Sequence, residues 1–275
     1  MGQSERLFTH SLDISYDERL IVNQLNLAIP TGKITALIGA NGSGKSTILK
    51  TMARIMKPKR GSVLLDGKAI HEQSTKEVAR QLAILPQNPS APDGLTVQEL
   101  VSYGRFPHQK NGFSALSKTD MDIIAWALTV TAMEDFQDRP VEQLSGGQRQ
   151  RAWIAMAIAQ QTEILFLDEP TTYLDMAHQL EVLKLLRNLN LEQHRTIVMV
   201  VHDLNHATRY ADHIVAIKNG SAISEGTPEQ VVTKEVLREV FGIEADIVRD
   251  PRSGVPLCLP YELLPSLNKP QLVQV

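Results

Sequence analysis

Apolar and polar positions alternate through the first quarter of the chain in short β-rich runs: Leu12 to Tyr16, Leu25 to Ile29, Ile34 to Ile38 and Ser62 to Leu65. Pro30-Thr31-Gly32 and Asp66-Gly67 interrupt them, which predicts strands joined by turns. After Gly44 the spacing becomes helical, and Leu82 to Leu85 reads as a further strand leading into the breaker-rich stretch Pro86 to Gly94. Helical periodicity then dominates from Val97 to Ala159 and predicts a helical lobe, with Phe106 to Ser117 as a surface loop and Met121 to Met133 as an apolar helical face. Two compact apolar runs, Ile164 to Leu167 and Thr196 to Val201, suit central strands of a parallel sheet buried on both faces. Between them Met176 to Leu191 is helical in period, so strand, helix and strand make a βαβ unit. From Asp250 the chain is proline-rich with little periodicity and reads as a packed or frayed tail.

Composition narrows the class. With 275 residues, 43% hydrophobic and 21% charged, the chain is an ordinary globular protein, neither disordered nor collagenous nor a disulfide scaffold. The 28 basic and 31 acidic residues leave a net charge of −3, without the basic stripe that a nucleic-acid backbone requires, so no nucleic-acid partner is expected. The longest charge-free run, Leu20 to Gly32, has 13 residues, short of the roughly 18 that suggest a membrane-spanning helix. A single cysteine, Cys258, permits no internal disulfide and fits a reducing compartment. The amino-terminal stretch lacks the apolar core of a secretory leader, so a cytosolic location is the expectation.

Three segments carry chemistry. Gly39-Ala40-Asn41-Gly42-Ser43-Gly44-Lys45-Ser46, followed by Thr47, matches GxxxxGK[ST] between a strand and a helix. Its glycines let backbone N–H groups converge on phosphate oxygens, Lys45 can reach the β and γ phosphates, and Ser46 can ligate magnesium. Ile164 to Leu167 ends in Asp168-Glu169, which places two carboxylates where a central strand leaves the sheet, the edge at which ligands bind in open α/β folds. Asp168 suits a magnesium ion and Glu169 an attacking water; a solvated acidic pair is the plainer reading of these two alone. Ser145-Gly146-Gly147-Gln148 opens a strongly helical stretch, either as a second anion site or simply as a serine cap with permissive glycines.

Together, in this order, these segments resemble the ATP-binding cassette (ABC) ATPases from Tyr16 to His202. The resemblance implies an α/β P-loop fold with a RecA-like core, an antiparallel β subdomain and an α-helical subdomain. It implies one nucleotide-binding domain over 1–249, the helical subdomain inserted at about 90–160, and a tail over 250–275. Gln87 matches the family's glutamine loop, which touches magnesium and the attacking water; Asp175 matches the loop that meets a second subunit; His202 matches the switch histidine at the γ-phosphate. Residue by residue, a turn glutamine, a helix cap and a packed histidine are the alternatives. Tyr16 matches the aromatic that stacks on adenine, with a core tyrosine as the other reading. The cofactors implied are ATP and Mg²⁺. The partners implied are a second copy in a head-to-tail dimer sandwiching ATP, membrane permease subunits docking beside Gln87 and, indirectly, an extracytoplasmic siderophore-binding protein.

Asp168 to Gln179, DEPTTYLDMAHQ, together with Gly104 to Gln109, GRFPHQ, and the tail segment DPRSGVPLCLPY, resemble the subgroup that energises iron(III)–siderophore import. That implies a peripheral protein on the cytoplasmic face of the cell membrane. Haem, cobalamin or other metal importers are the nearest alternative. DNA-repair and translation ATPases of the superfamily stand further off, because they normally carry a long coiled-coil insertion or a second cassette.

Overall fold

The computed structural model describes residues 5–109 and 115–264. The rest, including part of the expected surface loop and the end of the expected tail, lies outside the described residues. In chain order the first elements are β1 (Leu7–Tyr16), β2 (Arg19–Ile29), β3 (Ile34–Ile38), α1 (Lys45–Met52), β4 (Arg60–Leu65), β5 (Lys68–Ala69), α2 (Thr75–Ala79) and β6 (Leu82–Leu85). A helical region follows with α3 (Val97–Ser102), a 3-10 segment at Tyr103–His108, α4 (Lys118–Val130) and α5 (Gly146–Ala159). Then come β7 (Ile164–Asp168), α6 (Met176–Gln193), β8 (Thr196–Val200), α7 (Leu204–Tyr210), β9 (His213–Lys218), β10 (Ser221–Gly226), α8 (Pro228–Val231), α9 (Lys234–Phe241), β11 (Ile243–Arg249) and β12 (Pro256–Leu263).

The central sheet has the order β10-β9-β3-β8-β7-β6, parallel from β9 to β6 with β10 antiparallel at one edge. Its apolar runs are continuous because both faces are covered, yet each run still sorts by the period of two. Ile34, Ala36 and Ile38 of β3, Leu165 and Leu167 of β7, and Ile197 and Met199 of β8 face the core shared with α3 to α6. Leu37, Phe166, Val198 and Val200 face a second core with α1 and the antiparallel sheet β2-β1-β4-β5. Phe166 and Leu37 are fully buried there, so this face is the platform beneath α1. Several helices begin on side-chain caps: Ser74, Thr96, Ser117 and Ser145 each form a reciprocal capping box that satisfies otherwise orphaned N–H groups.

The stretch after Asp250 differs from the sequence expectation. Residues 256–263 form β12, which pairs antiparallel with β11 from Arg249↔Pro256 to Ile243↔Leu263. Alternation is obscured because Pro256 and Pro260 sit within the strand; on a two-stranded ribbon proline is tolerated where its N–H is not needed. Asn205 of α7 fastens the ribbon: Cys258 N–H donates to Asn205 Oδ1 at 2.8 Å, and Asn205 Nδ2 donates to the Cys258 carbonyl at 3.2 Å. The Cys258 thiol is buried, and burial, with Asp203 nearby, pushes its pKa up, which suits an inert packing role.

Candidate phosphate site

Four neighbouring parallel strands, β3, β8, β7 and β6, point the same way, so the residues that follow them meet at one sheet edge. The Gly39–Ser46 loop follows β3, His202 follows β8, Asp168 and Glu169 close β7, and Gln87 follows β6. Residues separated by up to 186 positions therefore line a single cavity of about 580 Å³, among them Tyr16, Asn41, Lys45, Ser46, Thr47, Gln87, Glu169 and His202.

The loop's shape is enforced by close packing. At Gly39 (φ +149°) a Cβ would lie 2.2 Å from the Ile217 carbonyl oxygen, so the backbone has room only for glycine. Gly220 N–H donates to the Ser43 carbonyl at 2.8 Å and ties the loop to the β9–β10 turn. Lys45 is buried, and its Nζ donates to the carbonyls of Gly39 at 2.9 Å and Ala40 at 3.0 Å. Burial lowers the Lys45 pKa, while the Glu169 and Asp168 carboxylates oppose that shift. Ser46 Oγ donates to Asp168 Oδ1 at 2.7 Å, and Lys50, one turn along α1, brings Nζ within 3.7 Å of Asp168 Oδ2.

Glu169 sits at φ +56°, a left-handed conformation uncommon outside glycine. Its carboxylate is gripped on several sides. Thr172 Oγ1 donates to Oε2 at 3.0 Å, Gln87 Nε2 donates to the same oxygen, and His202 Nε2 lies 2.6 Å from Oε1. His202 is not a packed histidine, since its side chain is 42% exposed. Tyr16 is not a core tyrosine either: it is 49% exposed, with its hydroxyl 3.3 Å from Met56 Sδ and 3.5 Å from Thr47 Oγ1.

Ser145, Gly146, Gln148 and Asp175 do not join this cavity within one chain. They lie on an exposed surface at the starts of α5 and α6. Both helix-cap readings hold there: Ser145 accepts from Gln148 N–H, and Asp175 accepts from His178 N–H at 3.0 Å.

The sequence profile of the family described as ABC transporter matches residues 22–172. The iron(3+)-hydroxamate import ATP-binding protein FhuC of Bacillus subtilis (strain 168) is 60% identical over 269 residues, covering 98% of this chain and 99% of that protein. This chain belongs to the ABC transporter family. The petrobactin import ATP-binding protein FpuD of Bacillus anthracis is 54% identical, covering 93% of each chain. Among solved structures, the dimeric MJ0796, a bacterial ABC transporter cassette, superimposes with a TM-score of 0.71 at 29% identity, covering 80% of this chain and 98% of that one.

As an ABC ATPase the chain has the expected P-loop fold, with the residues named above gathered at one sheet edge. Several side chains on that edge escaped the sequence reading: Thr172 and Lys50, which touch Glu169 and Asp168, and Arg19, Ile21 and Tyr173, which line the cavity. A helical-spacing signal existed for Lys50, four residues after Ser46 and thus on the same face of α1. No helix among the described residues is long and apolar enough to cross a membrane.

Proposed function

We propose that this ABC ATPase energises import of iron(III)–siderophore complexes, working as a head-to-tail pair on permease subunits at the cytoplasmic face of the membrane. The observation that carries the hydrolytic part is the convergence of Lys45, Ser46, Gln87, Asp168, Glu169 and His202 on one sheet edge. Full-length similarity to FhuC and FpuD, whose names specify hydroxamate and petrobactin import, supports the substrate class.

The residues present fit a magnesium ion. Ser46, Asp168 and Gln87 offer hard oxygen ligands, and the buried Asp168 Oδ2 has no hydrogen-bond partner, only the Lys50 ammonium nearby. Magnesium characteristically takes one or two carboxylates, with phosphate and water completing its shell. When bound it would neutralise charge between the β and γ phosphates. The loop amides and Lys45 would hold the phosphate charge, Ser46 and Asp168 would hold the metal, and Gln87 would reach both metal and water. Glu169 orients the attacking water and receives its proton, and His202 contacts the γ-phosphate. Tyr16 stacks on adenine. For this to happen Gln87 and His202 release the Glu169 carboxylate they now hold, so the nucleotide replaces one set of contacts with another. Ser145 to Gln148 and Asp175 complete the partner copy's site, which accounts for their position outside this chain's own cavity.

Permease docking is assigned to a groove of about 510 Å³ between α1, α2 and β6. It includes Ile55, an exposed apolar residue, with Val78, Leu82 and Ile84. Its wall at Ile84 leads directly to Gln87, so an inserted helix would press on the segment that reaches Glu169. A strain lacking this chain, tested for uptake of defined siderophores under iron limitation and complemented with wild type or Lys45→Ala, tests the whole reading. Loss restored only by wild type is expected; unchanged uptake of every iron chelate would overturn the import assignment.

A further inference from the structure

His178 connects the two exposed segments that lie outside the cavity. Asp175 Oδ1 accepts from His178 N–H and lies 2.8 Å from His178 Nδ1. An ionised carboxylate can only accept, so Nδ1 carries the hydrogen. These bonds hold the Asp175 pKa below the usual carboxylate range. The same imidazole lies against the other segment. A Cβ built on Gly147 would stand 2.4 Å from His178 Cδ2 and 2.7 Å from Cγ, whereas at Gly146 the nearest neighbour is Leu174 Cδ2 at 3.9 Å. Gly147 does not adopt a left-handed backbone, so space for the imidazole, not conformation, requires glycine there. Further along, Arg151 and Glu181 approach to 3.5 Å between α5 and α6, which leaves the helix tips to be registered by His178.

We propose that His178 is a positioning residue that locks Asp175 to the Ser145–Gln148 helix start, so that both segments meet a second copy of this chain as one pre-ordered surface. The inference rests on the head-to-tail dimer. Without the imidazole, the Asp175 side chain and the α6 tip must be ordered during association. Ordering one such side chain costs about two- to tenfold in an equilibrium constant. A symmetric pair contains the feature twice, so its loss weakens pairing by about fivefold to a hundredfold.

The test uses Glu169→Gln to slow hydrolysis and sedimentation velocity with magnesium and ATP to read dimer formation. Adding His178→Ala is expected to weaken the dimer by at least about fivefold while single-chain ATP affinity stays the same. His178→Asn, whose Nδ2 can stand where Nδ1 stood, is expected to retain pairing within about twofold. Gly147→Ala should weaken pairing too, but cost little more when His178 is already alanine, because both changes break one contact. A His178→Ala dimer as tight as its parent, His178→Asn as weak as His178→Ala, or additive losses with Gly147→Ala would each overturn the inference. If Glu169→Gln alone fails to pair with ATP, the dimer reading itself is wrong and this inference falls with it.

Discussion

The P-loop half and the Ser145 half of this protein are built from similar materials, glycines and a helix start, but under opposite conditions. Lys45 and Asp168 are almost wholly buried on a sheet sealed on both faces, whereas Ser145, Gly146 and Asp175 stand in solvent. In the first half, geometry is set by neighbouring strands and by contacts such as Gly39 against Ile217, so the cradle exists before any ligand arrives. In the second, geometry is set by helix caps and one imidazole on an exposed surface. On the function proposed above, a single chain carries the grip on nucleotide but only half of the enclosure around it. Binding and hydrolysis become separable.

The largest break expected in that contrast is Glu169→Gln, which should leave ATP binding intact while turnover falls by about 10²–10⁴-fold in a phosphate-release assay. Turnover near wild type would remove Glu169 from its role. Phe166→Ala attacks the platform under the buried half and should cost about 3–5 kcal/mol in chemical denaturation, because a fully buried ring leaves a cavity behind. Lys45→Ala should weaken ATP binding to the single chain by about one to two orders of magnitude, the scale of lost hydrogen bonds from a charged donor, measurable by calorimetry. Unchanged affinity would contradict a preformed grip. The mildest change, Ser145→Ala, removes a helix cap worth about 1 kcal/mol and should leave single-chain ATP affinity untouched while loosening ATP-driven pairing. If Ser145→Ala instead weakened single-chain binding as much as Lys45→Ala, the division into two halves would be wrong.

The buried half was readable in the sequence because its determinants are local. An unbroken apolar run marks a strand covered on both faces, and Ile34 to Ile38 and Leu82 to Leu85 match β3 and β6 residue for residue. The glycine pattern of the loop likewise reflects contacts within a few residues of a strand end. Other features depend on distance across the fold and left no periodic trace. Thr172 reads as one more polar residue in a turn, yet it bonds Glu169 because that residue turns left-handed at the end of β7. His178 reads as a polar position on α6, and only the approach of α5 gives it a neighbour in Gly147. β12 escaped notice because prolines mask its alternation and its anchor, Asn205, lies 53 residues earlier.

That anchor has a consequence for the order in which the protein becomes competent. Asn205 stands three residues after His202, and Asp203 between them caps α7 through the N–H groups of Asn205 and His206. Its amide is satisfied by a strand that the ribosome makes after every residue of the candidate site. Chains fold largely from the amino terminus as they emerge, so the P-loop, β7 and the strand before His202 can assemble while Asn205 still faces water. Docking of Cys258 then closes the segment carrying the histidine, a polar fastening supplied by a strand 53 residues further along the chain.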